Sequence, residues 1–176
     1  MSINQRRKGP TVSIVSVIKN LKFLKNNLDL SNGIINYRKK EMIFKLNKTA
    51  KLDINGNLTF NDTAINGMKK MSSLRMDKKA TLSVSGKFRF FYGADIVLFE
   101  GSKLLLGRES YINSYCKIRC KNSISIGNEC AIGPEFTCID SDWHSINNSM
   151  RNEPIVIGNH VWIGARVTVL SGVHIR

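Results

Sequence analysis

The chain has 176 residues, 42% of them hydrophobic, which suits one domain with a continuous core. Its 27 Lys and Arg residues outnumber 13 Asp and Glu residues, and the formal net charge of +14 favours anionic partners such as acidic glycans, anionic lipids or phosphate-bearing molecules. No helix-turn-helix, zinc-finger or base-stacking aromatic pattern accompanies the basic residues, so we expect no nucleic-acid partner. The four cysteines lack CxxC spacing and no histidines stand at ligand spacing, so we also expect no metal site.

Residues 1–46 are predicted to form a separate N-terminal segment that is basic and amphipathic. Apolar residues that share one helical face predict a short helix here: Ile14, Val17, Ile18, Leu21, Leu24 and Leu28. We favour a helix that caps the open end of a β-structure, and peripheral contact with a membrane surface is the alternative. The apolar run is shorter than the roughly 18 residues of a membrane span, and no small-residue cleavage site follows it. A cytoplasmic protein is expected.

Residues 47–176 are predicted to form one solenoid. Leu52–Phe60 and Thr81–Phe90 alternate apolar and polar residues, as half-buried strands do. After them, apolar residues recur every six positions in three runs: Leu106, Ile112 and Ile118; Ile126, Ile132 and Cys138; Ile157, Ile163, Val169 and Ile175. A hexad repeat indicates a parallel β-helix in which inward side chains fill a narrow prism.

Three details of the repeat lead to further expectations. Ile157, Ile163 and Val169 should lie on three successive faces of the prism, since each hexad supplies one face. The eight-residue step from Ile118 to Ile126 predicts a bulged corner. Gly158 and Gly164 directly follow inward aliphatics, and we interpret them as turn residues whose backbone angles disfavour a Cβ atom.

The hexads stop between Cys138 and Ile157, where residues 139–155 are predicted to form a loop. A solenoid can eject a loop at a corner without disturbing its stacked strands. His144 lies in this loop beside Trp143 and close to Asp140 and Asp142. A single histidine in the only interruption of a repeat is a candidate for catalysis.

Hexads interrupted by a loop with one histidine, followed by IGNHVWIGARVTVLSGV, resemble the hexapeptide-repeat acyltransferases. Within them the chain is similar to galactoside, maltose and nodulation-factor O-acetyltransferases and their relatives in polysaccharide biosynthesis. The resemblance covers roughly residues 101–176. It implies an all-β fold, a left-handed parallel β-helix, although crossovers between parallel strands are usually right-handed. It also implies a homotrimer with active sites between subunits, acetyl-coenzyme A as acyl donor and a sugar or glycan as acceptor.

The resemblance also assigns roles to residues. The loop histidine of the family falls on His144, which would be the general base that deprotonates a sugar hydroxyl, because an imidazole with a pKa near ~6.5 suits that task. The coil asparagine falls on Asn113, which would donate a hydrogen bond to the acceptor or to the oxyanion. Asn113 could equally be a turn residue at a coil corner.

Further residues are candidates for binding. Asp140 or Asp142 would orient the imidazole and contact the substrate. The groove tryptophan of the family falls on Trp162, which with Gly164 and Ala165 would line the site of the donor or sugar, although an outward aromatic could also pack against a neighbouring subunit.

Two departures from the family pattern bear on function. An acidic position of the galactoside enzymes falls on Lys121 or Asn122, which argues against a galactoside substrate. The family usually continues through another coil after the position of Ile175-Arg176, so we expect a fragment or a shortened chain with weakened donor binding. The alternative function is a non-catalytic solenoid that serves as a scaffold or trimerisation module.

Overall fold

A computed structural model describes residues 28–37, 39–63, 70–143 and 152–176 of the chain. These residues form seventeen strands and one short 3-10 helix, Lys39–Glu41. The strands are β1 Leu28–Asn36, β2 Met42–Leu46, β3 Lys51–Asp62, β4 Ser72–Met76, β5 Thr81–Val84, β6 Lys87–Phe91, β7 Asp95–Leu98, β8 Lys103–Leu106, β9 Ser110–Ile112, β10 Lys117–Cys120, β11 Ser123–Ile126, β12 Ala131–Ile132, β13 Thr137–Ile139, β14 Ile155–Ile157, β15 Trp162–Ile163, β16 Thr168–Leu170 and β17 His174–Ile175.

The strands form the three faces of a parallel β-helix. The first face contains β5, β8, β11, β14 and β17; the second contains β6, β9, β12 and β15; the third contains β2, β4, β7, β10, β13 and β16. The long strand β3 pairs with β5 and then with β6, so it bends from the first face onto the second. Ile157, Ile163 and Val169 lie on β14, β15 and β16, which confirms their predicted placement on three successive faces.

Equivalent strands of successive coils stack their inward side chains in register. On the first face Leu82 pairs with Leu104, Leu104 with Ile124, and Ile124 with Ile155, and all four are fully buried. Burial of one such side chain contributes about 1.5–3 kcal/mol to folding. The prism core is therefore a set of aliphatic columns, which the hexad pattern predicted.

The prediction of a bulged corner is wrong. Strand β10 pairs regularly with β7 and β13, and β11 pairs regularly with β8, so the register is unbroken on both sides of Lys121 and Asn122. The long step arises because strands on the first face turn two side chains inward, as Ile124 and Ile126 do. The coil from Leu104 to Ile124 spans 20 residues, and hexads counted from one inward residue per face lose phase there.

The expected role of the glycines also needs correction. Gly158 and Gly164 do not have positive φ; the left-handed positions at these corners are taken by His160 (φ 57°) and Arg166 (φ 59°). The glycines of stacked corners are required by close approach of the backbones instead. A Cβ atom on Gly127 would lie 2.4 Å from the carbonyl oxygen of Gly158, closer than any real contact allows.

The solenoid begins earlier than residue 47. Strand β1 pairs in parallel with β3, and β2 pairs with β4, because their apolar residues continue the inward columns. The N-terminal helix predicted between Ile14 and Leu28 lies outside the described residues except for its last position. In the part of the chain that the structure describes, no helix is long and apolar enough to cross a membrane.

Candidate functional site

The inserted loop leaves the prism at the corner between the third and first faces, called here the loop corner. Strand β13 ends at Ile139 and β14 begins at Ile155, yet β14 still pairs with β11 of the preceding coil. The stacked strands are thus undisturbed by the insertion, as predicted. His144 lies outside the described residues.

Asp140 is fully buried at the start of the loop. Its two oxygens accept hydrogen bonds from the backbone N–H groups of Lys121 and Asn122, the corner residues of the coil before. The side-chain amide of Asn122 in turn donates to the carbonyl of Asn152, at 2.6 Å. Asp140 therefore supplies the acceptors for two backbone N–H groups of this turn, for which strand pairing provides none. This structural task was missed from sequence, although the two-residue connection between β10 and β11 is the signal for it.

Asp142 differs from Asp140 in being half-buried and in lacking a hydrogen-bond partner among the described residues. Its carboxylate is free to orient another group. Both acidic residues thus lie at the predicted place, and the structure separates them by environment.

Cys116, directly before β10, and Cys120, at its end, are unsuited to nucleophilic chemistry. Burial raises the pKa of the Cys120 thiol, and the neighbouring Asp140 carboxylate adds to the effect. Burial likewise raises the pKa of Cys116 to about 12. All four cysteines are free and buried.

Asn113 lies on another corner, between the second and third faces, called here the Asn113 corner. Its Oδ1 accepts a hydrogen bond from the backbone N–H of Ser114 at 2.7 Å and another from the Ser114 hydroxyl at 3.3 Å. The side-chain nitrogen has no partner among the described residues. The oxygen is therefore used in the turn, and the amide N–H donors remain available to a ligand. The turn role of Asn113 is therefore observed, and its role as a donor to a ligand stays a prediction.

The later coils place Trp162, Gly164 and Ala165 beside the Asn113 corner. The pairing of Ile112 with Ile132, and of Ile132 with Ile163, aligns Asn113 with Gly133 and then with Gly164. Trp162 is 79% exposed, and its ring atom Cη2 lies 3.8 Å from where a Cβ atom of Gly164 would be. The backbones of Gly133 and Gly164 are closely stacked, since a Cβ atom on Gly133 would lie 2.7 Å from the Gly164 carbonyl carbon, and the exposed indole lies next to them.

The outer surface of the second face adds an aromatic patch that sequence analysis missed. The rings of Phe91 and Tyr111 are stacked with centroids 5.5 Å apart, and the Arg89 guanidinium lies within 5.8 Å of both. Phe91 is aligned with Asn113 through the pairing of Phe90 with Ile112. The signal in the sequence is an aromatic residue at outward positions of two successive coils.

The candidate residues therefore form two groups on one chain. Asn113, Trp162, Gly164 and Ala165 lie at or near the Asn113 corner, whereas Asp140 and Asp142 lie at the loop corner. The four-residue strand β10 separates the corners by about 13 Å, since a strand rises about 3.3 Å per residue. No group of three His, Cys, Asp or Glu side chains within the described ranges could hold a metal ion.

Fold and site define a parallel β-helix protein with hexapeptide-type coils, one inserted loop and outward-facing candidate binding residues. No family model matches the chain. Sequence similarity to characterised proteins is found over part of it. The chain is 38% identical over 66 residues to a polysialic acid O-acetyltransferase from Neisseria meningitidis, covering 34% of the chain and 31% of that protein.

Two further relatives match the chain over similar lengths. The galactoside O-acetyltransferase of Escherichia coli (strain K12) is 33% identical over 81 residues, covering 43% of the chain and 39% of that enzyme. Nodulation protein L of Rhizobium meliloti (strain 1021) is 33% identical over 79 residues, covering 42% of the chain and 43% of that protein. Each match spans less than half of the relative's length. These similarities confirm the predicted resemblance to hexapeptide-repeat acetyltransferases.

Among solved structures, the polysialic acid specific acetyltransferase NeuO aligns with a TM-score of 0.44 and 20% identity, covering 82% of the chain and 66% of NeuO. The strand pairing within the chain itself establishes the parallel β-helix.

Proposed function

We propose that the protein is an O-acetyltransferase that moves an acetyl group from acetyl-coenzyme A to a hydroxyl of a sugar in a surface polysaccharide or glycolipid. The partial identity to named O-acetyltransferases supports the reaction class. The observation that carries the proposal is the free amide donor of Asn113, whose coil corner is stacked on those of Gly133 and Gly164 beside the exposed Trp162. We place the reaction in the cytoplasm, where acetyl-coenzyme A is available.

In the proposed reaction His144 removes the proton of the acceptor hydroxyl. The oxygen then attacks the thioester carbonyl, a C–O bond forms, and the carbonyl oxygen becomes an oxyanion. Asn113 Nδ2 is the donor for that oxyanion or for the acceptor, and such a donor is worth about 10²–10³ in turnover. The C–S bond breaks as the tetrahedral intermediate collapses, and the imidazolium returns its proton to the coenzyme A thiolate.

Binding of the donor is assigned to the surface beside Trp162. The pantetheine arm is long, flexible and mostly apolar, so an exposed indole suits it. Gly164 and Ala165 place at most a methyl group next to this indole. Asp142 is assigned to the orientation of the His144 imidazole, because Asp140 already holds the loop corner.

A complete site is proposed to need more than one copy of the chain. Asn113 and the ends of the His144 loop lie on different corners of one prism, about 13 Å apart along β10. A neighbouring copy could present its loop to the Asn113 corner, and a closed homotrimer would repeat this contact three times.

The decisive experiment compares two histidine variants in an acetyl-transfer assay with a panel of sugar acceptors. His144→Gln should lower turnover about 10²-fold or more without a change in thermal unfolding, because a general base contributes roughly 10²–10⁴ in rate. His160→Gln is the matched control, since His160 is an exposed imidazole that contacts Glu129 at 3.4 Å. Equal activity of both variants would remove His144 from the mechanism. A wild-type protein that neither binds acetyl-coenzyme A nor transfers acetyl would favour the scaffold function.

A further inference from the structure

The loop corner carries two aromatic rings in contact, those of Phe99 and Trp143. Trp143 directly precedes the proposed base His144 in the sequence. Phe99 and Trp143 meet edge to face with ring centroids 4.3 Å apart, and Trp143 is 46% exposed. The Lys121 ammonium lies 6.0 Å from the Phe99 centroid and 5.9 Å from the Trp143 centroid. The Lys121 ammonium is therefore close to both partly exposed rings, and the Arg75 guanidinium also lies 5.8 Å from the Phe99 centroid.

The charge of Lys121 is available to a ligand, in contrast to those of nearby cations. Arg75 makes a two-point contact with Asp77, at 2.9 and 2.8 Å, and Lys78 lies 3.8 Å from Glu100. No carboxylate within the described ranges forms an ion pair with Lys121. The carboxylates of the corner are thus either paired with other cations, buried as in Asp140, or placed beyond contact with Lys121 as in Asp142.

The backbone of Lys121 is also anchored. Its backbone N–H donates to the buried Asp140 carboxylate, so its side chain starts from a rigid point at the root of the loop. A rigid arrangement of aromatic ring and cation lowers the entropic cost of binding. Ring faces contact the C–H surface of a pyranose, and an ammonium forms a charge-assisted hydrogen bond with a carboxylate.

We propose that Phe99, Lys121 and Trp143 form a subsite for a carboxylated sugar of the acceptor, and that Lys121 makes the protein select anionic over neutral glycans. This inference rests on the proposed acetyl transfer and specifies its acceptor class. Lys121 is a specificity-determining residue in this proposal and takes no part in the bond changes.

The test uses two acceptors that differ only in charge. One is a trimer of sialic acid, and the other is the same trimer with its carboxylates reduced to hydroxymethyl groups. The wild type should acetylate the carboxylated trimer with the lower KM. Lys121→Met should raise that KM about 3- to 5-fold, as expected for one partly exposed ion pair, and leave the KM of the reduced trimer unchanged. Lys121→Arg should restore the preference.

Two controls make the result specific. Lys117→Met removes an exposed lysine from the far end of β10, so it changes net charge equally and should leave both KM values unchanged. The KM of acetyl-coenzyme A should be unaffected by Lys121→Met. A rise in that KM, with unchanged acceptor KM values, would show that Lys121 binds the donor phosphates and would overturn the proposal.

A binding measurement separates this proposal from the proposed reaction. The chain has two tryptophans, so Trp162→Phe leaves Trp143 as the fluorescent reporter of the subsite. Quenching by the carboxylated trimer that Lys121→Met weakens, without acetylation of either trimer by the wild-type protein, would support the subsite and reject the reaction. Acetylation of both trimers with equal KM would reject the subsite and keep the reaction. Neither binding nor acetylation would reject both.

Discussion

The backbone N–H of Asn122 donates to the buried carboxylate of Asp140 at 2.8 Å, and this bond joins the start of the inserted loop to the coil before it. The Asn122 side chain holds Asn152 at the other end of the loop. A single corner residue therefore clamps both ends of the segment that carries the proposed base.

Asp140→Asn should destabilise the protein. An amide nitrogen would replace one acceptor oxygen and face a backbone N–H in a buried site, which costs about 1–3 kcal/mol. For a chain of this size we expect the Tm to fall by about 3–10 °C. Asp142→Asn is the control in the same thermal scan, because Asp142 has no hydrogen-bond partner among the described residues. A similar loss of stability in both variants would contradict the structural role of Asp140.

Gly127→Ala and Gly164→Ala should differ although the substitution is the same. A Cβ atom at Gly127 would lie 2.4 Å from the Gly158 oxygen, whereas at Gly164 the nearest atom is the Trp162 ring at 3.8 Å. We expect a loss of about 2–3 kcal/mol for Gly127→Ala, as in overpacked cores, and less than about 1 kcal/mol for Gly164→Ala. Urea unfolding midpoints compare the two. Equal midpoints would show that the stacked backbones can separate.

Asn113→Asp should reduce acetyl transfer without loss of stability. The carboxylate oxygen can still accept the Ser114 N–H bond, but the side chain no longer donates, so turnover should fall about 10²–10³-fold. Asn128→Asp is a matched control, because Asn128 Oδ1 also accepts a backbone N–H, from Arg108 at 2.9 Å. Activity near the wild-type level in Asn113→Asp would leave Asn113 as a turn residue alone.

Mixing two inactive variants should restore activity if the site is shared between copies. After joint refolding of equal amounts of His144→Gln and Asn113→Asp chains, roughly a quarter of the interfaces of a cyclic assembly would combine both intact residues. We therefore expect roughly a quarter of wild-type turnover from the mixture. An inactive mixture of correctly assembled chains would place both residues in one protomer.

Arg119→Met should cost stability in a pH-dependent way. Burial acts to raise the pKa of Asp95, but hydrogen bonds from Arg119 and Ser73 outweigh it and hold that pKa below its ordinary value. A lowered pKa stabilises the fold above the unfolded pKa of about 3.9 and loses that effect as pH falls through the folded pKa. Because the pair is partly exposed, we expect a deficit of about 0.5–1 kcal/mol at pH 7 that shrinks below about pH 4. Denaturant titrations across this range measure it, and a constant deficit would indicate lost packing only.

The architecture of the later coils could be predicted because one physical requirement dominates them. Each face of a narrow prism accepts inward aliphatics at fixed spacing, and Ile157, Ile163 and Val169 display that spacing directly. The earlier strands were harder to predict. Strand β3 runs through a corner as one twelve-residue strand, and β1 and β2 lie in a part of the chain where lysines and asparagines obscure the inward pattern.

The types of the site residues could be predicted from the sequence, but their individual roles only in part. The sequence pattern indicates that Asp140 and Asp142 lie at the start of a loop, but burial and backbone hydrogen bonds decide which carboxylate is free to act. The pairing of Lys121 with Phe99 and Trp143 joins residues from three successive passes of the chain through one corner. Such proximity depends on coil length, which the hexads alone did not give correctly.

The unbroken register across the inserted loop has an evolutionary consequence. Ile124 pairs with Leu104, 20 residues before it, and with Ile155, 31 residues after it, by the same parallel geometry. The intervening segment can therefore lengthen, shorten or be exchanged for another, because the stacked coils supply the stability of the fold. Mutations in that segment can change the acceptor that the protein binds with little loss of stability, provided that the hydrogen bonds of Asn122 with Asp140 and Asn152 are kept.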